Sequence, residues 1–424
     1  MMTGIHYHET AATLPTADAG KSSSLARAAR GCPPERPGAN VNGRLPLGRR
    51  IAVDAMGGDQ APAAPVQGAI AAAREYGLTI DLVGPTDVLR AELKRHRGQG
   101  LPIEVVDAPE VIGMAEAPAV AVRQKRRSSL VVGIELVARR RADAFVSAGN
   151  SGAVMAAALL GLQRIRGVAR PALGAVMPTA RGHCLILDVG ANSDCRPEHL
   201  AQFALMGADY AERVMGIRQP AVGLLSIGEE ASKGNQLIRD AHPLIAELPL
   251  RFIGNVEGKD IPLGNADVIV TDGFTGNVVL KFAEGTPRAL AQIVRAELLP
   301  HAPERVALPV LGAGALAAAV TPALRRPGLY ALGAALFGGA VLALGFAPAV
   351  SRLWRRLDWA EHGGVPLLGV NGVCIIAHGR SHGRAMQNAI RVASEAAAGG
   401  LVEHIAAGVR ERRPRVAARE EVGV

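Results

Sequence analysis

The chain has 424 residues, enough for a large core in one or two domains. Nearly half of it is apolar, only 3% is aromatic and 50 residues are glycine, which favours an α/β protein with many tight turns over an all-β one. The formal charge of +9 suits nucleic acid, an anionic membrane surface, an acidic partner or simply arginine-rich solvated faces. The few aromatics and the lack of a reading module argue against nucleic acid.

Residues 1–49 are rich in Ala, Gly, Pro, Ser and Arg and lack a hydrophobic run of signal-peptide length, so a disordered extension is expected there. Regular patterning starts at Arg50. Ile51-Ala52-Val53 reads as a short strand, followed by "DAMGGDQAP" and an alanine-rich helix to Tyr76. "TIDLVG" is a second strand, with a charged helix from Asp87, and "IEVVDA" a third. Helices are expected over Ala117–Arg126 and Ser129–Arg140, then the strand "DAFVSAG" and a helix over Ser151–Ile165. "ALGAVMP" and "HCLILDVG" are joined by so short a link that they should pair antiparallel. Next come a helix after Pro197, the strand "AVGLLSIG", a helix after Asn235, and the strand "DVIVTDG" with a long helix after Phe274. Strands alternating with helices, the strands nearly continuous in apolar residues, predict a mixed, mostly parallel sheet with helices on both faces.

Residues 305–352 break this pattern. Val306–Ala323 is apolar, Arg325 and Arg326 follow, and Leu329–Val350 is an uncharged run long enough to cross a bilayer. A protruding apolar helical hairpin is expected. Trp354 and Trp359 in the basic stretch behind it suit a membrane interface. Docking on the surface is preferred to spanning, because spanning would carry two arginines across lipid. Residues 405–424 read as a charged tail.

The polar, glycine-rich stretches each follow an apolar strand: "DAMGGD" with Asp54, Gly57, Gly58 and Asp59; "SAGNSG" with Gly149, Asn150, Ser151 and Gly152; "DVGANSD" with Asn192; "SIGEEASKGN" with Lys233 and Asn235; and "DGFTGN" with Asp272 and Asn277. Ligands bind at the carboxyl ends of strands in α/β sheets, so five such turns predict one shared site at one sheet edge. At "SAGNSG" the strand stops and a helix starts at once. Such a turn exposes backbone N–H groups and the positive end of a helix dipole to an anion. A simpler role is helix capping by Ser151, and Asp54 and Asp59 could also cap helices. No Walker lysine and no dinucleotide fingerprint is present, so NTP hydrolysis and NAD binding are disfavoured and no cofactor is expected. Lys233 is the first candidate cation. Arg123 is the second, grouped with Lys125, Arg126 and Arg127 on a predicted helix. The cysteines Cys32, Cys184, Cys195 and Cys374 form neither a CxxC pair nor a zinc-spaced cluster. They imply a reducing compartment, packing roles and no metal.

These motifs, together with "FIGNVEGKD", "GGVPLLGVNG" and "AHGRS", run in order from Ile51 to His404 and resemble the phosphate acyltransferases of bacterial phospholipid synthesis, the PlsX family. The resemblance implies an isocitrate/isopropylmalate dehydrogenase-like fold, related to phosphotransacetylases, over residues 50–404. It implies attack of inorganic phosphate on the thioester of acyl-[acyl carrier protein]. It further implies a cytoplasmic homodimer, peripheral at the membrane surface, whose acyl phosphate feeds a membrane glycerol-3-phosphate acyltransferase. A phosphotransacylase using acyl-coenzyme A and a non-catalytic membrane scaffold are the alternatives. In this reading Asn150, Ser151 and the adjacent backbone N–H groups hold phosphate, Lys233 neutralises it or the thioester oxyanion, Asp272 and Asn277 orient these groups, and His378 protonates the leaving thiolate or fixes a loop. The chain departs from the family pattern at Ile376 and His382 and in its longer apolar segment.

Overall fold

Short apolar runs become strands of one sheet in the computed structural model, which describes residues 48–298 and 363–411. The strands are β1 (Arg50–Asp54), β2 (Thr79–Gly84), β3 (Ile103–Asp107), β4 (Ala144–Ser147), β5 (Ala172–Thr179), β6 (Gly182–Leu187), β7 (Ala221–Leu225), β8 (Arg251–Val256), β9 (Val268–Val270), β10 (Val365–Leu368) and β11 (Val373–Ile376). The helices are α1 (Ala63–Tyr76), α2 (Thr86–Arg95), α3 (Pro118–Gln124), α4 (Ser129–Ala138), α5 (Ser151–Gly161), α6 (Pro197–Arg213), α7 (Gln236–Ala246), α8 (Asp260–Leu263), α9 (Gly273–Leu298), α10 (Gly383–Ala398) and α11 (Leu401–Glu411).

The strand order is β3-β2-β1-β4-β11-β10-β5-β6-β9-β7-β8. Strands β3, β2, β1, β4 and β11 are mutually parallel, and so are β6, β9, β7 and β8. Three antiparallel pairings, β11–β10, β10–β5 and β5–β6, separate the two groups, and the second group therefore points opposite to the first. The expected antiparallel pair is β5–β6, with Gly174 opposite Leu187 and Thr179 opposite Gly182.

Successive strand residues point to opposite faces, and each face has its own core. Ile51, Val53 and Val146 belong to the core on the face that carries α1, α6 and α10, whereas Ala52 and Phe145 belong to the core on the face that carries α3, α4 and α5. Both faces are buried, which explains why the strands read as continuous apolar runs rather than alternating ones.

Several element boundaries differ from expectation. The helix expected through Arg126 ends at Gln124, because Ser128 caps the next helix, its Oγ accepting from Val131 N at 3.4 Å. Arg123, Lys125, Arg126 and Arg127 therefore do not share one helix. Lys125 Nζ turns back to Val111 O at 2.8 Å and to Glu116 at 2.6 Å. The helix from Ser151 ends at Gly161 rather than Ile165. The stretch expected to be a tail from residue 405 is helical to Glu411, with Ile405 and Val409 buried against the core. The N-terminal extension up to residue 47 and the apolar hairpin at 305–352 lie outside the described residues. Among the described residues, no helix is long and apolar enough to cross a membrane.

Candidate active site

The turns after β1, β4 and β11 meet at one edge of the sheet. Asp54 is 2% exposed, and its Oδ2 accepts from Ser147 Oγ at 2.7 Å while Oδ1 accepts from Met56 N at 3.0 Å. Ser147 Oγ in turn accepts from Gly149 N at 3.0 Å. Burial pushes the Asp54 carboxyl above its ordinary 3.8, against the pull of hydrogen bonds from Ser129, Ser147, Met56 and Gly57. Gly57 is required here, since a Cβ would sit 2.6 Å from both Asp54 Oδ2 and Gly149 N. Asp54 thus ties two turns together and caps no helix.

Asn150, rather than Ser151, is the N-cap of α5, with Oδ1 accepting from Ala153 N at 3.1 Å. Its Nδ2 donates to Met114 O at 3.0 Å and to Glu116 O at 3.1 Å. Both ends of the amide are occupied, so the Asn150 side chain has no donor left for the phosphate expected of it. Ser151 is exposed on the first turn beside Gly152. Asp59 is exposed, and its N–H donates to Gly379 O at 2.7 Å; a Cβ on Gly58 would lie 3.0 Å from the same carbonyl. His378 follows β11 and accepts at Nδ1 from Arg380 N at 3.1 Å, which holds its loop. His382 caps α10, accepting from Ala385 N, and Ile376 is buried in β11. Arg123 is exposed in the last turn of α3, which packs on α5.

The turns after β6, β9 and β7 lie at the opposite edge. Asp188 is completely buried and accepts five hydrogen bonds: from Leu173 N, Gly190 N and Ala191 N at Oδ1, and from Asn192 N and Asn192 Nδ2 at Oδ2. Asn192 Nδ2 also donates to Pro171 O at 2.8 Å. Asp272 caps α9, accepting from Thr275 N at 2.9 Å and Thr275 Oγ1 at 2.7 Å. The turn is so close-packed that a Cβ on Gly276 would stand 1.9 Å from Asp188 O. Asn277 is exposed, about 4 Å from where a Cβ on Gly190 would be. Asn235 caps α7 by accepting from Ile238 N at 3.0 Å. Lys233 is exposed, its stem passes over Gly228, and it has no ion-pair partner among the described residues.

The single shared edge expected from the sequence is therefore two edges. Gly57, Gly58, Asp59, Gly149–Gly152 and His378 gather at one; Asn192, Lys233, Asn235, Asp272 and Asn277 gather at the other. The three antiparallel pairings at the centre of the sheet reverse strand direction and separate them. Ser147 and Asp188, which organise the two edges, were not singled out in the sequence. Each is a polar residue at the end of an apolar strand just before a glycine turn, which is the signal that marks them.

Burial raises the Cys195 thiol to about 11, with Asp188 adding to the rise, and the buried Cys184 and Cys374 to about 12, so these three are thiols and not thiolate nucleophiles. Among the described residues one acidic trio, Glu229, Glu257 and Asp260, is close enough to suggest a cation. It is compensated from within the protein. Lys259 Nζ pairs with Glu257 and lies 3.8 Å from Glu229, while Asp260 accepts from Glu257 N and Asn265 Nδ2.

A sheet whose strand ends carry glycine turns, helix N-termini and a lysine with no ion-pair partner among the described residues has the architecture of an α/β enzyme handling an anionic group. The family model described as "Fatty acid synthesis protein" matches residues 49–308 and 331–404. The phosphate acyltransferase of Heliobacterium modesticaldum is 48% identical over 366 residues, covering 86% of this chain and 98% of that protein. The phosphate acyltransferase of Herpetosiphon aurantiacus is 49% identical over 352 residues, covering 82% and 94%. Among solved structures, the EutD phosphotransacetylase of Staphylococcus aureus aligns with 82% of this chain and 94% of its own at 15% identity and a TM-score of 0.49. The chain belongs to the fatty acid synthesis protein family, whose relatives here are phosphate acyltransferases, and it is an acyltransferase. The match leaves out residues 309–330, which hold most of the first apolar run and both Arg325 and Arg326.

Proposed function

We propose that the chain makes acyl phosphate from acyl-[acyl carrier protein] and inorganic phosphate, for phosphatidic acid and phospholipid synthesis. The observation that carries this reading is Lys233, a cation with no counter-ion among the described residues, beside the three adjacent strand-end turns of β6, β9 and β7. A phosphate oxygen bonds to the thioester carbonyl carbon, the C–S bond breaks, and the thiolate leaves with the electron pair and takes up a proton. Phosphate is already anionic at neutral pH, so the reaction needs orientation and charge balance rather than a strong base. Lys233 supplies the charge balance and exposed Asn277 a neutral donor. Asp188, Asn192 and Asp272 position these turns through the hydrogen bonds described above. His378, at the other edge, is read as a loop anchor rather than a proton donor.

The same reading takes the fold as isocitrate/isopropylmalate dehydrogenase-like. It takes the chain as a homodimer docked on the membrane surface through the apolar segment around 305–352, handing acyl phosphate to a membrane glycerol-3-phosphate acyltransferase. The charge of +9 favours an acidic carrier protein as partner.

The test is hydroxylamine trapping of acyl phosphate formed from palmitoyl-[acyl carrier protein] and phosphate. Phosphate-dependent hydroxamate is expected, and its absence from a folded preparation supplied with lipid would sink the reading. Lys233→Ala should lower turnover by about 10²–10³-fold, the scale for losing one stabiliser of transition-state charge, with the fold intact. Near-normal turnover would remove Lys233 from the mechanism.

A further inference from the structure

Beside the Asp188 turn lies a cavity of about 730 Å³, lined in part by Arg164, Arg170, Arg196, His199, Asp194 and Cys195. The three arginines come from the loop after α5 and from the start of α6, and all are exposed. Arg164 donates to the carbonyls of Val168 and Ala169. Among the described residues none of the three is ion-paired with a carboxylate. Three guanidinium groups around one opening would repel one another unless an anion or solvent lies between them. Asp194 offsets one charge at most.

His199 adds a directed donor. Its Nδ1 accepts from Arg196 N at 3.1 Å, which leaves Nε2 to carry the proton of the neutral ring. Burial, and then the nearby Arg170, hold this ring below the ordinary histidine value, so it is neutral at physiological pH. The seventeen-residue helix α6 opens here and adds the positive end of its dipole. Arginine forks match phosphoryl oxygens in geometry as well as charge. The volume lies within the range of about 300–1,000 Å³ that takes drug-sized ligands, well beyond what a single inorganic phosphate fills.

We infer that this cavity holds the phosphate of a 4′-phosphopantetheine arm, the group that carries the acyl thioester to the enzyme. This rests on the thioester reaction proposed above. The cavity borders the end of β6, and Lys233 follows β7, with β9 between them. Arg170 precedes β5, one strand beyond β6, so three strand spacings, about 15 Å, separate its strand end from that of β7, and a linear pantetheine chain anchored at Arg170 would extend across β6 and β9 toward Lys233. Both a carrier protein and coenzyme A present this arm.

The test is calorimetric titration of the full chain with 4′-phosphopantetheine, pantetheine and inorganic phosphate. The phosphate ester should bind at least about tenfold tighter than pantetheine, the scale of one charge-assisted hydrogen bond. Arg170→Ala and Arg196→Ala should each remove most of that advantage. Arg166→Ala, on the same loop outside the cavity, should keep it. The inference is overturned if the advantage survives in both cavity variants, or if inorganic phosphate binds as tightly as the ester with the same dependence on Arg170. Displacement of the bound ester by holo-[acyl carrier protein] or by coenzyme A would identify the source of the arm, and displacement by neither would also overturn the assignment. Arginine-dependent binding without hydroxamate production would keep the cavity and remove the reaction. Hydroxamate production with arginine-independent binding would do the reverse.

Discussion

Two buried carboxylates do different work. Asp188 satisfies four backbone N–H groups and the Asn192 amide, so its loss would strand several buried donors at once. Each unsatisfied buried donor costs about 1–3 kcal/mol, and Asp188→Ala is expected to destabilise by at least about 3 kcal/mol in urea unfolding. A loss below about 1 kcal/mol would mean that water replaces the carboxylate. Asp54 is tied to fewer groups and is desolvated, which keeps its proton on to higher pH in the folded chain than in the unfolded one. The folded state therefore binds more protons above pH 3.8, and stability falls as pH rises through that window. Asp54→Asn removes this titration. The stability of the native sequence relative to Asp54→Asn should fall as pH rises above 3.8, and a difference that stays flat or rises would contradict the assignment.

Caps and close approaches decide where the elements sit. Asn150 and Asn235, expected to bind substrate, and Asp272, expected to orient the reacting groups, all stand at strand-to-helix turns. The structure places each at the cap of the following helix, where its oxygen meets a backbone N–H. A local sequence pattern cannot separate the two roles, since a cap and an anion site need the same residue types at the same position. Close approach has no local signature either. Gly276 lets the first turn of α9 lie against the Asp188 carbonyl. Gly276→Ala would force helix and turn apart, with an expected loss of about 1–3 kcal/mol and reduced turnover through displaced Asn277. Native stability with native turnover would show that α9 can slide without consequence.

At the scale of the whole molecule, net charge and sheet topology matter most. A chain of charge +9 that meets an acidic carrier protein should do so under electrostatic steering. Raising ionic strength from about 0.05 M to about 0.5 M shortens the screening length severalfold. KM for the acyl carrier substrate should then rise while kcat holds. A salt-independent KM would place recognition in short-range contacts instead. Topology sorts the five glycine turns into two groups, and so decides which polar residues can act on one substrate.

The sequence by itself determined the class of fold, the alternation of strands and helices, the antiparallel β5–β6 pair and the family, because periodicity and ordered motifs are local or collinear properties. It did not reveal β8, β10, β11 or the C-terminal helices: β8 is an edge strand half open to solvent, and β10 and β11 are placed by pairing with β5 and β4, which are distant in the chain. Nor could it assign direction to strands distant in the chain. Only the tertiary structure decided that β10 and β5 reverse the sheet, that Asn150 is spent on Met114 and Glu116, and that arginines from the Arg164–Arg170 loop and from Arg196 surround one cavity. Each of these depends on which strand lies beside which, a long-range choice made by the packing of both sheet faces and written in no single stretch of sequence.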